Sequence, residues 1–211
     1  MTKRLILGAG GFSKQVVDVC TESGYEVMGV FDDYIATDTL WYTTLKVTGP
    51  LHWAEKHTDV EAFCGVGNNA ARERIFKSLA LRWCNVIDKR SHISATVNMG
   101  IANYVGSGAR LIADSVIGNG NFFNDMSSIG HDVTIGNFTH LAPHACVGGG
   151  VTLGDRVFLG TGAVVQPYLN VAPGVTLGGN AVATKNCDVE NGIYVGVPAR
   201  CIGVKEEEEE E

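Results

Sequence analysis

The sequence predicts a small α/β domain over residues 1–90, followed by an all-β parallel β-helix over residues 91–191. Two observations support this division. From Ile93 to Leu177 every sixth residue is apolar, and the register never slips. The first ninety residues lack that rhythm and instead alternate short apolar runs with helix-like stretches.

The six-residue period cannot arise from a helix of 3.6 residues per turn and is typical of a parallel β-helix built from hexapeptide repeats. The residue after each apolar position is usually small, and we expect tight corners of the coil to need it. Three such units make an eighteen-residue coil, so the repeat predicts about five coils around a solid aliphatic column. A solid column leaves no room for a ligand, which places any site outside it, in grooves between subunits.

The N-terminal elements follow from short apolar runs and their flanking residues. Asn68 is suited to cap a helix that continues to Ala80, and Pro50 can open a helix at its first turn. We further predict strands at 5–7, 27–31, 60–66 and 83–87, a helix from the first glycine cluster to near Gly24, and a loop over 34–49.

The glycine cluster Gly8-Ala9-Gly10-Gly11 lies between the first predicted strand and helix. Glycines at this place let backbone N–H groups approach a phosphate at the positive end of the helix dipole. Asp32 and Asp33 follow the second strand, where a carboxylate can accept from a sugar or a base. The motif is shorter than G-x-G-x-x-G, so it favours a nucleotide or nucleotide sugar over a nicotinamide dinucleotide; a tight turn without a ligand is the alternative.

Histidines supply the candidate catalytic groups of the repeat. His131 precedes Asp132, and a carboxylate beside a histidine can hold one tautomer and raise its basicity. Adjacent strand residues point to opposite faces, so this pair requires His131 to lie at a corner. His140 lies half a coil further on and belongs to a different side. His131, His140 and His144 could alternatively form a zinc site across a subunit interface, or all be surface residues.

Composition limits the function classes. Most of the formal charge of −7 comes from the acidic tail at 206–211, and no basic cluster suggests a nucleic-acid partner. We expect that tail to be disordered and 192–205 to cap the repeat.

Six cysteines without a C-x-x-C pair indicate free thiols in a reducing cytoplasm. No apolar run is long enough for a signal peptide or a membrane span.

The combined motifs resemble the sialic acid O-acetyltransferase-like (NeuD/PglD-type) hexapeptide acyltransferases, in the branch that N-acetylates nucleotide-linked amino sugars. The resemblance covers nearly the whole chain before the tail. The motifs that carry it occur in order: Gly8-Ala-Gly-Gly-Phe12, Phe31-Asp-Asp33, Gly65-Val-Gly-Asn-Asn69, Gly130-His-Asp-Val-Thr-Ile-Gly136, His140 and Gly196-Val-Pro-Ala-Arg200.

This resemblance implies a left-handed β-helix, a Rossmann-like nucleotide-sugar-binding domain, and a homotrimer with active sites between subunits. It implies His131 as general base and Asp132 as its acidic partner. Further implied roles are acetyl-CoA contacts at His140, Gly149, Thr161 and Gly179, with the Gly149 N–H on the thioester oxygen, and substrate contacts at Gly10, Gly11, Phe12, Ser13, Asp32, Asp33 and Asn124.

Two positions differ from the usual family pattern. Phe12 stands where many members have histidine, and Asp132 stands where the acidic partner is often glutamate. Aspartate is one methylene shorter and requires a closer approach to His131.

The resemblance implies direct acetyl transfer from acetyl-CoA to an amine, with no metal, on a nucleotide-linked sugar such as a UDP-4-amino-4,6-dideoxy sugar in cell-surface glycan biosynthesis. An O-acetyltransferase for an acidic sugar would use the same base. The fold is also compatible with a zinc-dependent hydratase and with a non-catalytic nucleotide-sugar sensor. Metal analysis would identify the hydratase, and a lack of CoA release would identify the sensor.

Overall fold

A computed structural model describes residues 2–206 of the chain. It divides into two compact units, one of residues up to 89 with 101–104, the other of residues 90–100 with those from 105 onward. All but the first residue of the acidic tail predicted at 206–211 lie outside the described residues. The domain limits predicted from the sequence stay a prediction.

The first unit is built on a six-stranded sheet with strand order β3-β4-β2-β1-β5-β6. Its strands are parallel except for the antiparallel pair β3–β4. Apolar side chains of β1, β2, β5 and the second helix form its core. The elements are β1 (Lys3–Leu7), α1 (Gly11–Glu22), β2 (Glu26–Phe31), β3 (Leu40–Tyr42), β4 (Leu45–Gly49), a 3₁₀ helix (Leu51–Lys56), β5 (Glu61–Cys64), α2 (Asn69–Ser78), β6 (Arg82–Trp83) and β7 (Val86–Ile87).

Two sequence predictions about this unit are wrong. The predicted loop at 34–49 contains β3 and β4, and Val47 of β4 is fully buried and pairs with Val30. The predicted strand at 83–87 is two strands, because Trp83 pairs with Ala62 of the sheet whereas Val86–Ile87 is a separate element. Asn68 caps α2 as predicted, its Oδ1 accepting from the Ala71 N–H at 2.9 Å.

The second unit is a left-handed parallel β-helix, which confirms the predicted fold class. Its strands are two residues long up to the cap and are: β8 (His92–Ile93), β9 (Asn98–Met99), β10 (Tyr104–Val105), β11 (Arg110–Leu111), β12 (Val116–Ile117), β13 (Phe122–Phe123), β14 (Ser128–Ile129), β15 (Thr134–Ile135), β16 (His140–Leu141), β17 (Cys146–Val147), β18 (Thr152–Leu153), β19 (Phe158–Leu159), β20 (Val164–Val165), β21 (Asn170–Val171), β22 (Thr176–Leu177), β23 (Val182–Ala183), β24 (Gly192–Val195) and β25 (Arg200–Val204).

The coil has three sides. Side one comprises β8, β11, β14, β17, β20 and β23, side two comprises β9, β12, β15, β18 and β21, and side three runs from β10 through β13, β16, β19 and β22 to the antiparallel pair β24–β25. Between the two-residue strands of a side each residue pairs with the one eighteen positions later, as Leu111 does with Ile129. At the cap the step is seventeen, from Leu177 to Tyr194. From Val105 to Leu177 every sixth residue is buried in one continuous core, as predicted.

The small residues that follow the inward positions serve close packing between coils. A Cβ on Gly130 would lie 2.6 Å from the Gly149 backbone nitrogen, although Gly130 does not have a positive φ. Positive φ occurs two residues later in the corner, and side chains as large as Asp132 (φ 57°) and Tyr168 (φ 61°) adopt it there. The expectation that the turn itself requires the small residue is therefore wrong, since the neighbouring coil imposes the requirement.

The corner that follows side one in each coil is called the first corner, and residues 130–133 and 148–151 belong to it. The corner that follows side three is called the third corner, and it includes 124–127, 160–163 and 178–181. Among residues 2–206 no helix has the length and apolar character needed to cross a membrane.

Candidate functional site

The first unit contains a cavity of about 680 Å³ at the carboxyl ends of its parallel strands. This is the edge at which open α/β sheets bind ligands. Its walls are the glycine turn before α1, the segments after β2 and β5, the start of the 3₁₀ helix and one face of α2. The lining residues are Gly8, Gly10, Gly11, Phe12, Asp32, Asp33, Tyr34, Leu51, His52, Gly65, Val66, Gly67, Ala71, Arg74, Ile75, Ser78 and Leu79.

The N-terminus of α1 opens into this cavity. Gly10 is its N-cap and supplies no side-chain hydrogen bond, and the first turn carries no acidic residue. The first N–H groups of a helix have no partner within the helix, and together with the dipole they attract an anion. The turn at Gly10 and Gly11 is therefore suited to a phosphate, and the predicted contact with the nucleotide stays a prediction.

The two aspartates after β2 have different surroundings. Both carboxylate oxygens of Asp32 accept backbone N–H groups: Oδ2 from Ala9 at 2.7 Å, and Oδ1 from Tyr34 at 2.9 Å and Ile35 at 3.1 Å. Asp32 thus ties the glycine turn to the segment after β2. Asp33 accepts one such bond, through Oδ1 from the Leu51 N–H at 2.8 Å, and lines the cavity.

Two other predicted substrate contacts also have structural partners. Ser13 is fully buried, and its hydroxyl donates to the Gly65 carbonyl at 3.1 Å, so the side chain does not line the cavity. The ring of Phe12 does line it and packs edge-on against Tyr104, with ring centroids 5.0 Å apart. Phe12 offers the cavity an apolar surface where a histidine would offer a hydrogen bond.

Sequence reasoning missed the α2 side of the cavity. Ala71, Arg74, Ile75 and Ser78 line it, and their spacing of three and four residues is the helical signal that could have identified them. Below them Arg72 is buried and donates to the carbonyls of Val66 at 3.0 Å and Gly67 at 3.2 Å.

Burial lowers the pKa of Arg72 to about 10, which leaves the guanidinium charged at neutral pH. Its charge and hydrogen bonds hold the turn after β5 in place.

The second candidate region is the first corner of the β-helix. His131 Nδ1 lies 2.6 Å from Asp132 Oδ2, and both side chains are exposed. Asp132 has a positive φ, which turns its side chain to the same side of the chain as that of His131. In an extended strand the two side chains would point to opposite faces. The sequence predicted that His131 and Asp132 interact only if His131 lies at a corner. The structure places His131 at a corner, and the aspartate, although shorter than a glutamate, reaches the imidazole.

Gly149 lies on the next coil, directly against this imidazole. A Cβ on Gly149 would lie 2.7 Å from His131 Nε2, so only glycine leaves room for the ring in this position. Among residues 2–206 the Gly149 N–H has no hydrogen-bond acceptor. A free backbone donor thus lies next to the imidazole nitrogen that is not bonded to Asp132.

The remaining predicted site residues lie elsewhere on the coil. His140 is in β16 on side three, buried between Phe122 and Phe158 with ring centroids 5.5 and 5.3 Å away. Asn124, Thr161 and Gly179 are at the third corner, where Asn124 Oδ1 accepts from the Asp125 N–H at 2.8 Å. Side one of the coil separates the three residues at the third corner from His131 within one protomer.

The zinc hypothesis requires several metal-ligating side chains to lie close together. Across residues 2–206, no three His, Cys, Asp or Glu side chains come together as a metal site needs. A zinc site from His131, His140 and His144 would therefore have to draw ligands from more than one copy.

All six cysteines are free. Burial raises the pKa of Cys64 to about 11 and that of Cys84 to about 12. Cys146 is half-buried, and its sulfur accepts a hydrogen bond from the Ser128 hydroxyl at 3.4 Å, a neighbour that is not a base. A nucleophilic thiol needs an adjacent base or a lowered pKa. Burial moves the pKa of Cys64 and Cys84 in the opposite direction, and the hydroxyl beside Cys146 is not a base.

Alkylation of the native protein with iodoacetamide at pH 8 tests whether the buried thiols are unreactive. We expect rapid labelling of the exposed Cys201 and no labelling of Cys64 or Cys84, because the thiolate is the reacting form. Peptide mass mapping gives the readout, and the protein unfolded in guanidinium, where every thiol should react, is the control. Labelling of Cys64 at the rate of Cys201 would contradict the burial described above.

Comparisons with known proteins define the class. Residues 3–79 match the family model of the PglD N-terminal domain. PerB from Caulobacter crescentus, solved with CoA and GDP-perosamine, superposes with a TM-score of 0.89 at 26% identity, covering 96% of this chain and 98% of that one. The acetyltransferase domain of PglB from Neisseria gonorrhoeae shares the fold, with a TM-score of 0.86 at 24% identity over 96% of this chain and all of that one (100%).

A curated relative, an uncharacterised protein of Acanthamoeba polyphaga mimivirus, is 35% identical over 114 residues, or 54% of this chain. The chain spans 23% of the length of that relative.

The fold and these matches place the protein among hexapeptide-repeat proteins with a PglD-type N-terminal domain. The resemblance to the NeuD/PglD-type acyltransferases that the motifs indicated is confirmed.

Proposed function

We propose that this protein is an acetyl-CoA-dependent N-acetyltransferase that acts on the amino group of a nucleotide-linked amino-deoxy sugar. The observation that carries the proposal is the His131–Asp132 pair at 2.6 Å with the free Gly149 N–H beside it. PerB, which was solved with CoA and GDP-perosamine, supports the same chemistry through its fold and 26% identity.

His131 is the general base in this proposal. The Asp132 carboxylate can only accept, so it fixes the proton on Nδ1 and leaves Nε2 free to take a proton. The sugar amine attacks the thioester carbonyl, the C–N bond forms, and Nε2 receives the amine proton. The C–S bond then breaks, and the proton passes to the departing CoA sulfur.

The Gly149 N–H is suited to stabilise the oxyanion of the tetrahedral intermediate. It is a fixed backbone donor with no competing acceptor among the described residues. A preorganised donor of this kind loses no orientational freedom during the reaction. The proposal needs no acyl-enzyme, because burial raises the pKa of Cys64 and Cys84 and the hydroxyl beside Cys146 is not a base.

The nucleotide of the acceptor would bind in the cavity of the first unit. The α1 N-terminus at Gly10 and Gly11 suits the diphosphate, Phe12 adds an apolar wall, and the segment at Asp32 and Asp33 lines the cavity next to the glycine turn. Ser13 and Asp32 would act by holding the walls. The UDP-4-amino-4,6-dideoxy sugar of cell-surface glycan synthesis stays a prediction.

A homotrimer with active sites between subunits completes the proposal. Within one protomer the dyad is at the first corner, whereas Thr161, Gly179 and Asn124 are at the third corner. Acetyl-CoA bound along a third corner would meet a base only from the first corner of a neighbouring copy. His140, on side three, would support the surface on which the coenzyme lies.

The six free cysteines agree with the proposed cytoplasmic location.

A CoA-release assay tests the function directly. The purified protein is mixed with acetyl-CoA and, in turn, UDP-, GDP- and dTDP-linked 4-amino sugars and free sialic acid, and the product is identified by mass spectrometry. We expect CoA release only with an amino sugar, and an amide in the product. Release with sialic acid alone would establish the O-acetyltransferase, and nucleotide-sugar binding without any release would establish the sensor.

A further inference from the structure

We infer that the ring of Tyr168 contacts the thioester end of acetyl-CoA and holds it beside the His131 imidazole. This contact rests on the acetyl transfer of the proposed function. It adds to that function a coenzyme-binding residue on the same copy as the base, at a position that none of the sequence motifs includes.

Tyr168 lies on the first corner, eighteen residues after Gly150 and therefore in the next coil. Its N–H donates to the Gly149 carbonyl at 3.0 Å, and the Gly150 N–H donates to the His131 carbonyl at 2.9 Å. The Gly149–Gly150 segment is thus fixed from both sides, by the layer of the base and by the layer of Tyr168. Neither bond uses the Gly149 N–H, so the donor proposed for the thioester oxygen lies between these two layers.

The ring of Tyr168 leans back toward the base. Its Cδ1 and Cε1 atoms lie 2.5 and 2.7 Å from the position that a Cβ on Gly150 would occupy. The imidazole of His131 leans forward in the same way, with Nε2 2.7 Å from the position of a Cβ on Gly149. The two rings therefore approach neighbouring glycines from opposite layers, with the Gly149 N–H in the layer between them.

Most of the Tyr168 ring is left uncovered by residues 2–206 of its own copy. Tyr168 is 76% exposed, and its φ of 61° is a conformation that a bulky side chain rarely adopts. A tyrosine offers a ligand a large flat surface at little cost in conformational entropy, because only two side-chain torsions are fixed. An exposed ring next to a base is therefore suited to bind the substrate on which that base acts.

Heights along the coil axis indicate which substrate meets the ring. A coil rises about 4.8 Å, so Thr161, Tyr168 and Gly179 lie about 3, 5 and 8 Å beyond Gly149 toward the C-terminal end. A trimer around an axis parallel to the coil keeps these heights equal in every copy. An acetyl-CoA with its thioester oxygen at the Gly149 N–H, and with further contacts at Thr161 and Gly179 of a neighbouring copy, then passes the ring.

The acceptor sugar lies in the other direction. Its proposed contact Asn124 precedes Gly149 in sequence and lies about 7 Å from it along the coil axis, toward the N-terminal end. Tyr168 is therefore on the coenzyme side of the imidazole, and a change at Tyr168 should affect the coenzyme and not the sugar.

The experiment is steady-state kinetics of CoA release by the full-length protein, with the acceptor taken from the UDP-, GDP- and dTDP-linked 4-amino sugars. We expect Tyr168→Asn to raise the KM for acetyl-CoA about tenfold, and to leave kcat and the KM for the sugar within about twofold of the native values. Asparagine tolerates a positive φ, as Asn180 does at 56°, so the corner should fold normally. Tyr168→Phe keeps the ring and should have a native KM.

A truncated thioester and a control variant locate the contact. S-acetylpantetheine lacks the adenosine part of the coenzyme, and Tyr168→Asn should lose about the same factor in kcat/KM with it as with acetyl-CoA. Arg156→Asn is the control, because Arg156 is exposed with a φ of 58° on the corner that follows side two. That variant should keep the KM for acetyl-CoA within about twofold of the native value.

Several kinetic outcomes would overturn the contact. A native KM for acetyl-CoA in Tyr168→Asn removes it, and a raised KM for the sugar alone would place the ring at the acceptor. A loss that is present with acetyl-CoA but absent with S-acetylpantetheine would place the ring at the adenosine end.

A binding measurement separates failure of this contact from failure of the proposed function. If no amino sugar releases CoA from the native protein, the proposed function fails, and calorimetric titration with CoA alone still tests the ring. Binding about tenfold weaker in Tyr168→Asn than in the native protein would support the contact, and equal dissociation constants would overturn it.

Discussion

Replacement of His131 by alanine is expected to lower kcat by about 10²–10⁴ without affecting the fold. A positioned general base contributes a factor of this size, and alanine removes the imidazole that Asp132 holds beside the Gly149 N–H. The imidazole is exposed, so its loss leaves no cavity in the core. Steady-state CoA release with saturating acetyl-CoA measures the effect.

His92→Ala is the matched control. His92 is an exposed histidine on side one, in the first strand of the coil. We expect native turnover from that variant and thermal unfolding curves that coincide for all three proteins. Turnover of His131→Ala within threefold of the native rate would remove His131 as the base, whatever His92→Ala shows.

Gly149→Ala is expected to lower kcat by about 10² through displacement of the imidazole. The added Cβ would lie 2.7 Å from Nε2, and the three nearest atoms all belong to the His131 ring. Gly149 does not have a positive φ, and an exposed ring can rotate away, so stability should change by less than about 0.5 kcal/mol. Displacement of a catalytic group by about 1 Å costs a factor of this order.

A double-mutant cycle separates this mechanism from loss of the backbone donor, which alanine retains. If the methyl group acts only by moving the imidazole, Gly149→Ala should have no further effect in a His131→Ala background. Additive losses in the double variant would show that residue 149 acts independently of His131. A thermal midpoint far below that of the native protein would instead indicate that the corner itself is disrupted.

Most of the architecture could be predicted because its physical causes are local in the sequence. The six-residue apolar period predicted the coil and its core from Val105 to Leu177, and Asn68 predicted the start of α2. The β3–β4 pair could not be predicted. Polar and aromatic residues at 34–49 show no strand alternation, and Val47 is buried only because β2 lies beside it.

The candidate site shows the same division between local and tertiary causes. The turn at Gly10 and the pair His131–Asp132 follow from chain neighbours, and the structure has both. The different partners of Asp32 and Asp33 depend on Ala9 and Leu51, which are distant in sequence. A motif match assigns both aspartates to the ligand, and only their hydrogen bonds distinguish them.

The eighteen-residue register also constrains how this protein can change in length. Arg110 pairs with Ser128, and Ser128 with Cys146, so a single inserted residue within a side would turn every later apolar side chain away from the column. Insertion of a complete coil before His131 would preserve the dyad and Gly149 in adjacent layers. Insertion of a complete coil between them would move the backbone donor about 5 Å from the base, so only the first elongation is compatible with catalysis.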